Sequence, residues 1–179
     1  MNLPNKLTIC RICLVPVICA LLLLAQPGGD WMIYAAAVLF IIASLTDLFD
    51  GKIARKTGQV TNFGKFMDPL ADKLLVCSTL VCFVARGEAP AWAFLLIMAR
   101  EFAISGFRLI AVEKGVVLAA SQLGKLKTNI QTAWIIGLLF PFEWNVWKVA
   151  TQILMWAAVI LTIWSFADYI YHNKAVLKE

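Results

Sequence analysis

Charged side chains are scarce in this chain: only 15% of its 179 residues are Asp, Glu, Lys or Arg, and it has a single histidine. Hydrophobic residues make up 61%, and the mean hydropathy is +0.81, which is outside the range of an ordinary soluble domain. No stretch between the apolar runs is long enough to form a separate soluble domain. The composition therefore predicts an all-α integral membrane protein with one domain, residues 1–179.

The sequence also lacks the pattern of a disulfide framework. Its cysteines all lie inside apolar runs, where a free thiol behaves as a small hydrophobic side chain: Cys10, Cys13, Cys19, Cys77 and Cys82. Cys10 and Cys13 form a CxxC pair, but no second pair accompanies it. We therefore expect packing rather than zinc or redox chemistry.

The net charge of +5 does not indicate nucleic acid as a partner. Lys and Arg cluster in short loops between apolar runs, a distribution that membrane topology and anionic lipid explain. If the chain crosses the membrane six times, one side of the membrane holds most of the Lys and Arg residues, and the other side holds Arg86 and Lys148. The positive-inside rule makes the first side cytoplasmic, together with both termini.

Six apolar runs predict six transmembrane helices in one bundle, at about 20 residues per span. The runs cover residues 8–25, 31–50, 66–85, 91–112, 128–140 and 147–171. We read the first as a retained helix, because a signal peptide has a shorter apolar core followed by a small-residue cleavage site. The third run spans only if it includes Asp68 and Asp72, and the fourth only with Arg100, Glu101 and Arg108; interfacial or re-entrant segments are the alternative.

Four aspartates form one ordered pattern, DxxDGxxAR, eight residues, then GxxxDxxxD: Asp47, Asp50, Asp68 and Asp72. Spacings of three and four place each pair on one helical face. Two like charges about 4 Å apart cost about 4 kcal/mol at an effective dielectric of 20, so this cluster needs cations. Oxygen ligands without a nearby His or Cys favour Mg²⁺ or Mn²⁺, and the number of acids suits two ions.

The residues around these aspartates suit a bound pyrophosphate. Gly51 stands where we expect the chain to leave the second helix, and Gly64 lies one turn before Asp68, although each glycine alone is equally typical of a turn or cap. Ala54 and Arg55 extend the same surface, and a guanidinium beside a metal site suits a phosphate. The pattern favours phosphoryl transfer, with one carboxylate left as a base.

The motif resembles, at every position and spacing, the signature of the CDP-alcohol phosphotransferases. The resemblance implies a six-helix membrane enzyme, usually a homodimer, that moves a phosphatidyl or similar group from a CDP-linked donor to an alcohol and releases CMP. It further implies that Asp47, Asp50 and Asp68 bind the metals, while Asp72 lies near them and deprotonates the acceptor. The donor contacts that it implies are Asn5, Thr8, Gly51, Ala54, Arg55, Thr61 and Gly64.

A second polar group, on the fourth and fifth helices, indicates an anionic acceptor. Its members are Arg100, Ser105, Arg108, Lys125 and Lys127. Lys125 and Lys127 could instead be topology determinants at the membrane surface. Arg100 lies deep enough in its run that Glu101 or a substrate phosphate should compensate its charge.

The stretches AREFAISGFR (residues 99–108) and GKLKT (residues 124–128) resemble bacterial phosphatidylglycerophosphate synthases. That resemblance implies CDP-diacylglycerol as donor and glycerol 3-phosphate as acceptor. With the orientation from the positive-inside rule, we expect the active site on the cytoplasmic side of the inner membrane. Inositol phosphate, serine or phosphatidylglycerol are alternative acceptors, and the cations argue against serine. A divalent-cation transporter is the non-enzyme alternative, although no ladder of acids leads to the opposite face.

Overall fold

The computed structural model describes residues 3–26, 30–57, 62–113 and 121–173, and the regular structure in these ranges is α-helical. The helices are α1 (Leu3–Leu24), α2 (Trp31–Thr57), α3 (Asn62–Ala85), α4 (Ala91–Glu113), α5 (Gln122–Leu139) and α6 (Asn145–Asn173). They confirm the all-α prediction and the order of the helices. As predicted, α3 includes Asp68 and Asp72, and α4 includes Arg100, Glu101 and Arg108.

Two predicted boundaries were wrong. Helix α1 begins at Leu3 rather than Thr8, since Pro4 falls in the first turn, where the missing N–H has no helical partner. Helix α2 continues past Asp50 to Thr57, so Gly51 lies inside the helix and not at its exit. Lys, Ala and Arg are good helix formers and follow Gly51, and together they outweigh the cost of about 1 kcal/mol for an internal glycine.

Two helices in the described ranges are long and apolar enough to cross a membrane by length and composition. They are Asn5–Leu24, with a hydropathy of 2.6, and Asn145–Asn173, with 1.8. The outside of α6 carries large exposed apolar side chains, among them Val146, Ile153 and Trp164. Six spans, and cytoplasmic termini, stay predictions.

The helices form two compact units, and each has its own core. The first comprises residues up to Ala89 together with Leu138–Pro141; the second comprises Pro90–Gly137 and the residues from Phe142 onward. In the first unit α1 packs against α2 and α3. Ala36 and Ala37 on α2 are fully buried, and such small side chains allow close helix packing.

Helix α6 packs against α4 in the second unit. It also lies close to the end of α5, where a Cβ added at Gly137 would lie 3.1 Å from the hydroxyl oxygen of Thr151. The indole N–H of Trp147 donates to the Gly137 carbonyl at 3.1 Å. These contacts align α5 and α6 within the second unit.

Gly87 ends α3 in a left-handed conformation, with φ of 73°. The N–H of Glu88 donates to the Phe83 carbonyl at 2.9 Å, and that of Gly87 donates to the Val84 carbonyl at 3.0 Å. This is the Schellman arrangement, which satisfies carbonyls left open at a helix end. The turn leads directly into α4.

Candidate active site

A hydrogen bond from α1 orients Asp68 on α3. The hydroxyl of Thr8 donates to Oδ1 of Asp68 at 2.5 Å, and the Thr8 side chain is fully buried. A hydrogen bond to a carboxylate is charge-assisted, and it fixes the rotation of the acid. Asp72 lies one turn further along α3, so both acids share a face of that helix.

A polar stripe runs along the buried face of α1. Asn5, Thr8 and Arg11 are each 8% exposed or less, and they repeat every three residues. Further along the same helix this buried face becomes apolar at Val15, Ile18 and Leu22. The buried face of α1 is therefore polar near its beginning and apolar further along.

Arg11 joins α1 to the backbone of α2. Its Nε donates to the Ala43 carbonyl at 3.2 Å, and the side chain is 1% exposed. Thr46 donates to the same carbonyl at 2.8 Å. Ala43 lies one turn before Asp47, so a buried cation is bound to the turn of α2 that leads into the acidic motif.

Part of the predicted site lies outside the described part of the structure. The backbone of α2 is described through Thr57, but the side chains of Asp47, Asp50, Ala54 and Arg55 are not, and Thr61 lies outside the described residues altogether. Among the described side chains no three acidic, imidazole or thiol groups gather as a metal site. Gly64 is buried in the first turns of α3.

The donor chemistry of the described acids fits a hard divalent cation. Asp68 and Asp72 supply oxygen atoms, and a hydroxyl already holds Asp68 in place. Mg²⁺ and Mn²⁺ prefer such ligands, and partners that orient a metal-binding carboxylate strengthen metal binding. The metal assignment of the four aspartates stays a prediction.

Three charged side chains form a buried cluster in the second unit. Oε1 of Glu101 accepts from Nη1 of Arg100 at 2.9 Å and from Nζ of Lys127 at 2.6 Å. The side chain of Lys127 is 1% exposed and that of Arg100 is 10% exposed. The expectation that Glu101 or a phosphate compensates Arg100 is met by Glu101, and Lys127 is a buried partner rather than a surface residue.

The guanidinium of Arg100 also reaches α6 and α5. Its Nη2 donates to the Ser165 hydroxyl at 3.2 Å. A Cβ added at Gly124, in the first turn of α5, would lie 3.5 Å from the same nitrogen. Ser121 caps α5 by accepting from the Gly124 N–H at 3.0 Å. Arg100 therefore lies against the N-terminal turn of α5.

The remaining predicted acceptor residues differ in their surroundings. Lys125 is exposed. Ser105 donates back to the Glu101 carbonyl at 2.6 Å within α4. Arg108 lies with its guanidinium carbon 5.8 Å from the centre of the Tyr169 ring, a cation–π contact. Arg100 and Lys127 converge on one atom, Oε1 of Glu101.

Sequence reasoning missed several residues that shape these two groups. No site role was predicted for Arg11, although its three-residue spacing from Thr8 and Asn5 indicates a polar face inside an apolar helix. Glu101 was read as a partner of Arg100 alone. No sequence pattern indicated Ser165 or Tyr169, because their contacts with α4 depend on how α6 packs.

The comparison with known proteins covers both groups of residues. A family model described as CDP-alcohol phosphatidyltransferase matches residues 1–164. The chain belongs to this family. The match includes the four aspartates, Arg100, Glu101 and Lys127, whereas Ser165 and Tyr169 follow the matched range.

Curated relatives in the family match nearly the whole chain. A Bacillus subtilis protein named CDP-diacylglycerol–glycerol-3-phosphate 3-phosphatidyltransferase is 43% identical, over 99% of this chain and 97% of its own length. Proteins of the same name from Rickettsia typhi and Yersinia enterocolitica are 40% and 35% identical, over 90% and 95% of this chain and 91% and 93% of their own lengths. The predicted family and subgroup resemblance is confirmed.

Proposed function

We propose that this CDP-alcohol phosphatidyltransferase family member transfers the phosphatidyl group of CDP-diacylglycerol to glycerol 3-phosphate. The products are phosphatidylglycerophosphate and CMP. The observation that carries the proposal is the near full-length match to relatives named for that reaction. The acidic motif and the cations of α4 and α5 each have chemistry that the reaction needs.

In the first unit, Asp47, Asp50 and Asp68 would hold the metal ions, with Asp72 near them. A pair of Mg²⁺ or Mn²⁺ ions bound there would neutralise the charge of the donor pyrophosphate. Thr8 keeps Asp68 oriented through its hydrogen bond of 2.5 Å. The donor contacts are Asn5, Thr8, Gly51, Ala54, Arg55, Thr61 and Gly64.

Asp72 acts as the base. It takes the proton from the primary hydroxyl of glycerol 3-phosphate, and the hydroxyl oxygen attacks the phosphorus that bears the diacylglycerol. The bond from that phosphorus to the oxygen of CMP breaks as the new bond forms, and CMP leaves with the bridging oxygen. We infer direct displacement without a covalent phosphatidyl-enzyme, because the acidic motif, residues 47–72, contains no Ser, Cys or His that could act as a nucleophile.

In the second unit, Arg100 and Lys127 bind the acceptor phosphate, with Ser105, Arg108 and Lys125 contributing. Arg100 and Lys127 are almost fully buried, and buried cations recognise a phosphate far more strongly than surface cations do. Serine has no phosphate that would need two such cations. An anionic acceptor therefore suits this unit.

We also infer that the protein is a multi-pass protein of the inner membrane, with the active site on the cytoplasmic side. The exposed apolar side chains of α6 support burial in lipid, and the distribution of Lys and Arg supports the orientation. A homodimer is proposed from the family resemblance.

The decisive experiment follows CMP release by the purified protein in detergent with Mg²⁺ or Mn²⁺ and CDP-diacylglycerol. Glycerol 3-phosphate, inositol phosphate, serine and phosphatidylglycerol are supplied separately. We expect release with glycerol 3-phosphate, and none after removal of the metal with EDTA. If CMP were released only with another acceptor, the proposed acceptor would change to that alcohol. If CMP release did not depend on any of these acceptors, the proposed enzymatic activity would be rejected. Exchange of labelled CMP into CDP-diacylglycerol without acceptor would contradict direct displacement.

A further inference from the structure

Glu101 holds two cations from two different helices with one oxygen atom. Arg100 precedes it on α4, and Lys127 comes from α5; their nitrogens lie 2.9 and 2.6 Å from Oε1. The three formal charges sum to one positive charge in a place where each side chain is at most 17% exposed. The Glu101 carboxylate accepts hydrogen bonds from both cations and keeps them together despite their mutual repulsion. An oxygen of a bound phosphate would have the same effect.

The Nε of Arg100 offers the cluster a further N–H donor. Its Nη1 is used by Glu101 and its Nη2 by Ser165, whereas its buried Nε has no hydrogen-bond partner among the described residues. A buried donor without a partner is unfavourable, and a guanidinium binds a phosphate most strongly through two adjacent N–H groups. This Nε therefore favours an additional anion at the cluster.

We infer that Glu101 is the resident counter-anion of the acceptor-phosphate site and sets its affinity. This inference rests on the proposed function, because it takes the acceptor to be a phosphorylated alcohol. Glu101 keeps Arg100 and Lys127 in position while the site is empty, and it competes with the acceptor phosphate for the same two cations. The same competition assists release of phosphatidylglycerophosphate, which carries that phosphate away.

Replacing the carboxylate by an amide tests this role. Glu101→Gln keeps the size of the side chain and one oxygen for hydrogen bonding, but it removes the competing charge. We expect the KM for glycerol 3-phosphate to fall about tenfold, the change expected when a charged hydrogen bond no longer competes. The KM for CDP-diacylglycerol should not change, and the rate with unphosphorylated glycerol should not improve. A residue needed only for folding would not split the two KM values in this way.

A second readout needs no turnover. Inorganic phosphate is titrated against the thermal stability of the detergent-solubilised protein, and the midpoint for Glu101→Gln should move to about tenfold lower phosphate. Glu88→Gln is the matched control, because Glu88 also pairs with an arginine, Arg86, at 2.7 Å, but belongs to the first unit. It should leave the phosphate midpoint and both KM values unchanged.

The outcomes separate this inference from the proposed function. An unchanged or raised KM for glycerol 3-phosphate in folded Glu101→Gln, with an unchanged phosphate midpoint, would overturn the role of Glu101. If wild-type protein released no CMP with glycerol 3-phosphate but the phosphate midpoint still shifted, the proposed function would fail and the anion site would stand. Should Glu101→Gln not fold, Glu101→Asp takes its place. Its carboxylate is one methylene further from the two cations and competes less well, so the phosphate midpoint should still fall, by less than about tenfold. A constant midpoint would reject the inference.

Discussion

The hydroxyl of Thr8 donates to the carboxylate of Asp68 at 2.5 Å, across sixty positions of sequence. This bond makes α1 part of the acidic site on α3. The family resemblance implies that Thr8 contacts the CDP-linked donor substrate. In the structure Thr8 also orients the carboxylate of Asp68.

Loss of the Thr8 hydroxyl should weaken metal binding. Thr8→Val keeps the shape of the side chain but leaves Asp68 without that donor, and changes to groups that orient a metal ligand typically cost about 10–100-fold in affinity or activity. We expect the Mg²⁺ concentration for half-maximal CMP release to rise about tenfold. Thr8→Ser, which keeps the hydroxyl, should remain within about threefold of wild type; equal metal dependence of Thr8→Val and Thr8→Ser would show that the bond has no such role.

Substitutions of Asp72 and Asp68 should affect turnover and metal binding differently. Asp72→Asn removes the base, and general-base catalysis typically contributes about 10²–10⁴-fold, so turnover should fall by that amount while metal binding changes little. Asp68→Asn should instead weaken metal binding. Metal titration by calorimetry, alongside CMP release, distinguishes them. A near-normal rate for Asp72→Asn would remove the base assignment.

The two lysines of α5 make a matched pair for acceptor binding. Lys127 is buried against Glu101, whereas Lys125 is exposed. Lys127→Met should raise the KM for glycerol 3-phosphate about tenfold or more, because a charged hydrogen bond contributes about 1.5–3 kcal/mol. Lys125→Met should change the same KM less than about threefold, since an exposed charge contributes little. Equal effects of the two substitutions would contradict the buried site.

Arg86 should stabilise the first unit. Its Nη1 donates to the Leu22 and Ala25 carbonyls at 2.7 Å each, at the end of α1. Arg86→Met leaves those carbonyls without their donor, and we expect a loss of about 2–3 kcal/mol, since each lost bond typically costs about 1 kcal/mol or more. Thermal unfolding in detergent measures the change. Lys148→Met, at an exposed position, is the control and should have little effect.

Alanine substitution at two glycines should change the stability of the protein in opposite directions. A Cβ would meet no atom within 4 Å at either Gly87 or Gly106, so only the backbone differs. Gly87→Ala should cost about 1–2 kcal/mol because of its positive φ. Gly106→Ala, inside α4, should stabilise by about 0.5–1 kcal/mol. Melting temperatures that move in the same direction would contradict this assignment.

The helices followed from the sequence because long apolar runs between polar breaks leave few alternatives. Boundaries were less predictable. The start of α1 and the end of α2 differed from prediction because a first-turn proline, Pro4, and a single internal glycine, Gly51, are tolerated when their neighbours favour helix. The role of Lys127 could not be predicted from the sequence. A lysine near the end of an apolar run can be a topology determinant at the membrane surface or a buried partner in an ion pair, and the packing of a neighbouring helix determines which.

The sequence by itself determined the family and predicted the chemistry of the acidic motif, because the spacings of four aspartates on two helices can be read within the chain. Only the tertiary structure decided which side chains meet across helices. Thr8 reaches Asp68, Arg11 reaches the backbone of α2, and Lys127 reaches Glu101. The physical reason is burial: a polar group removed from water must find its partner in whichever helix packs beside it, and helical periodicity specifies the face of that group but not the neighbour.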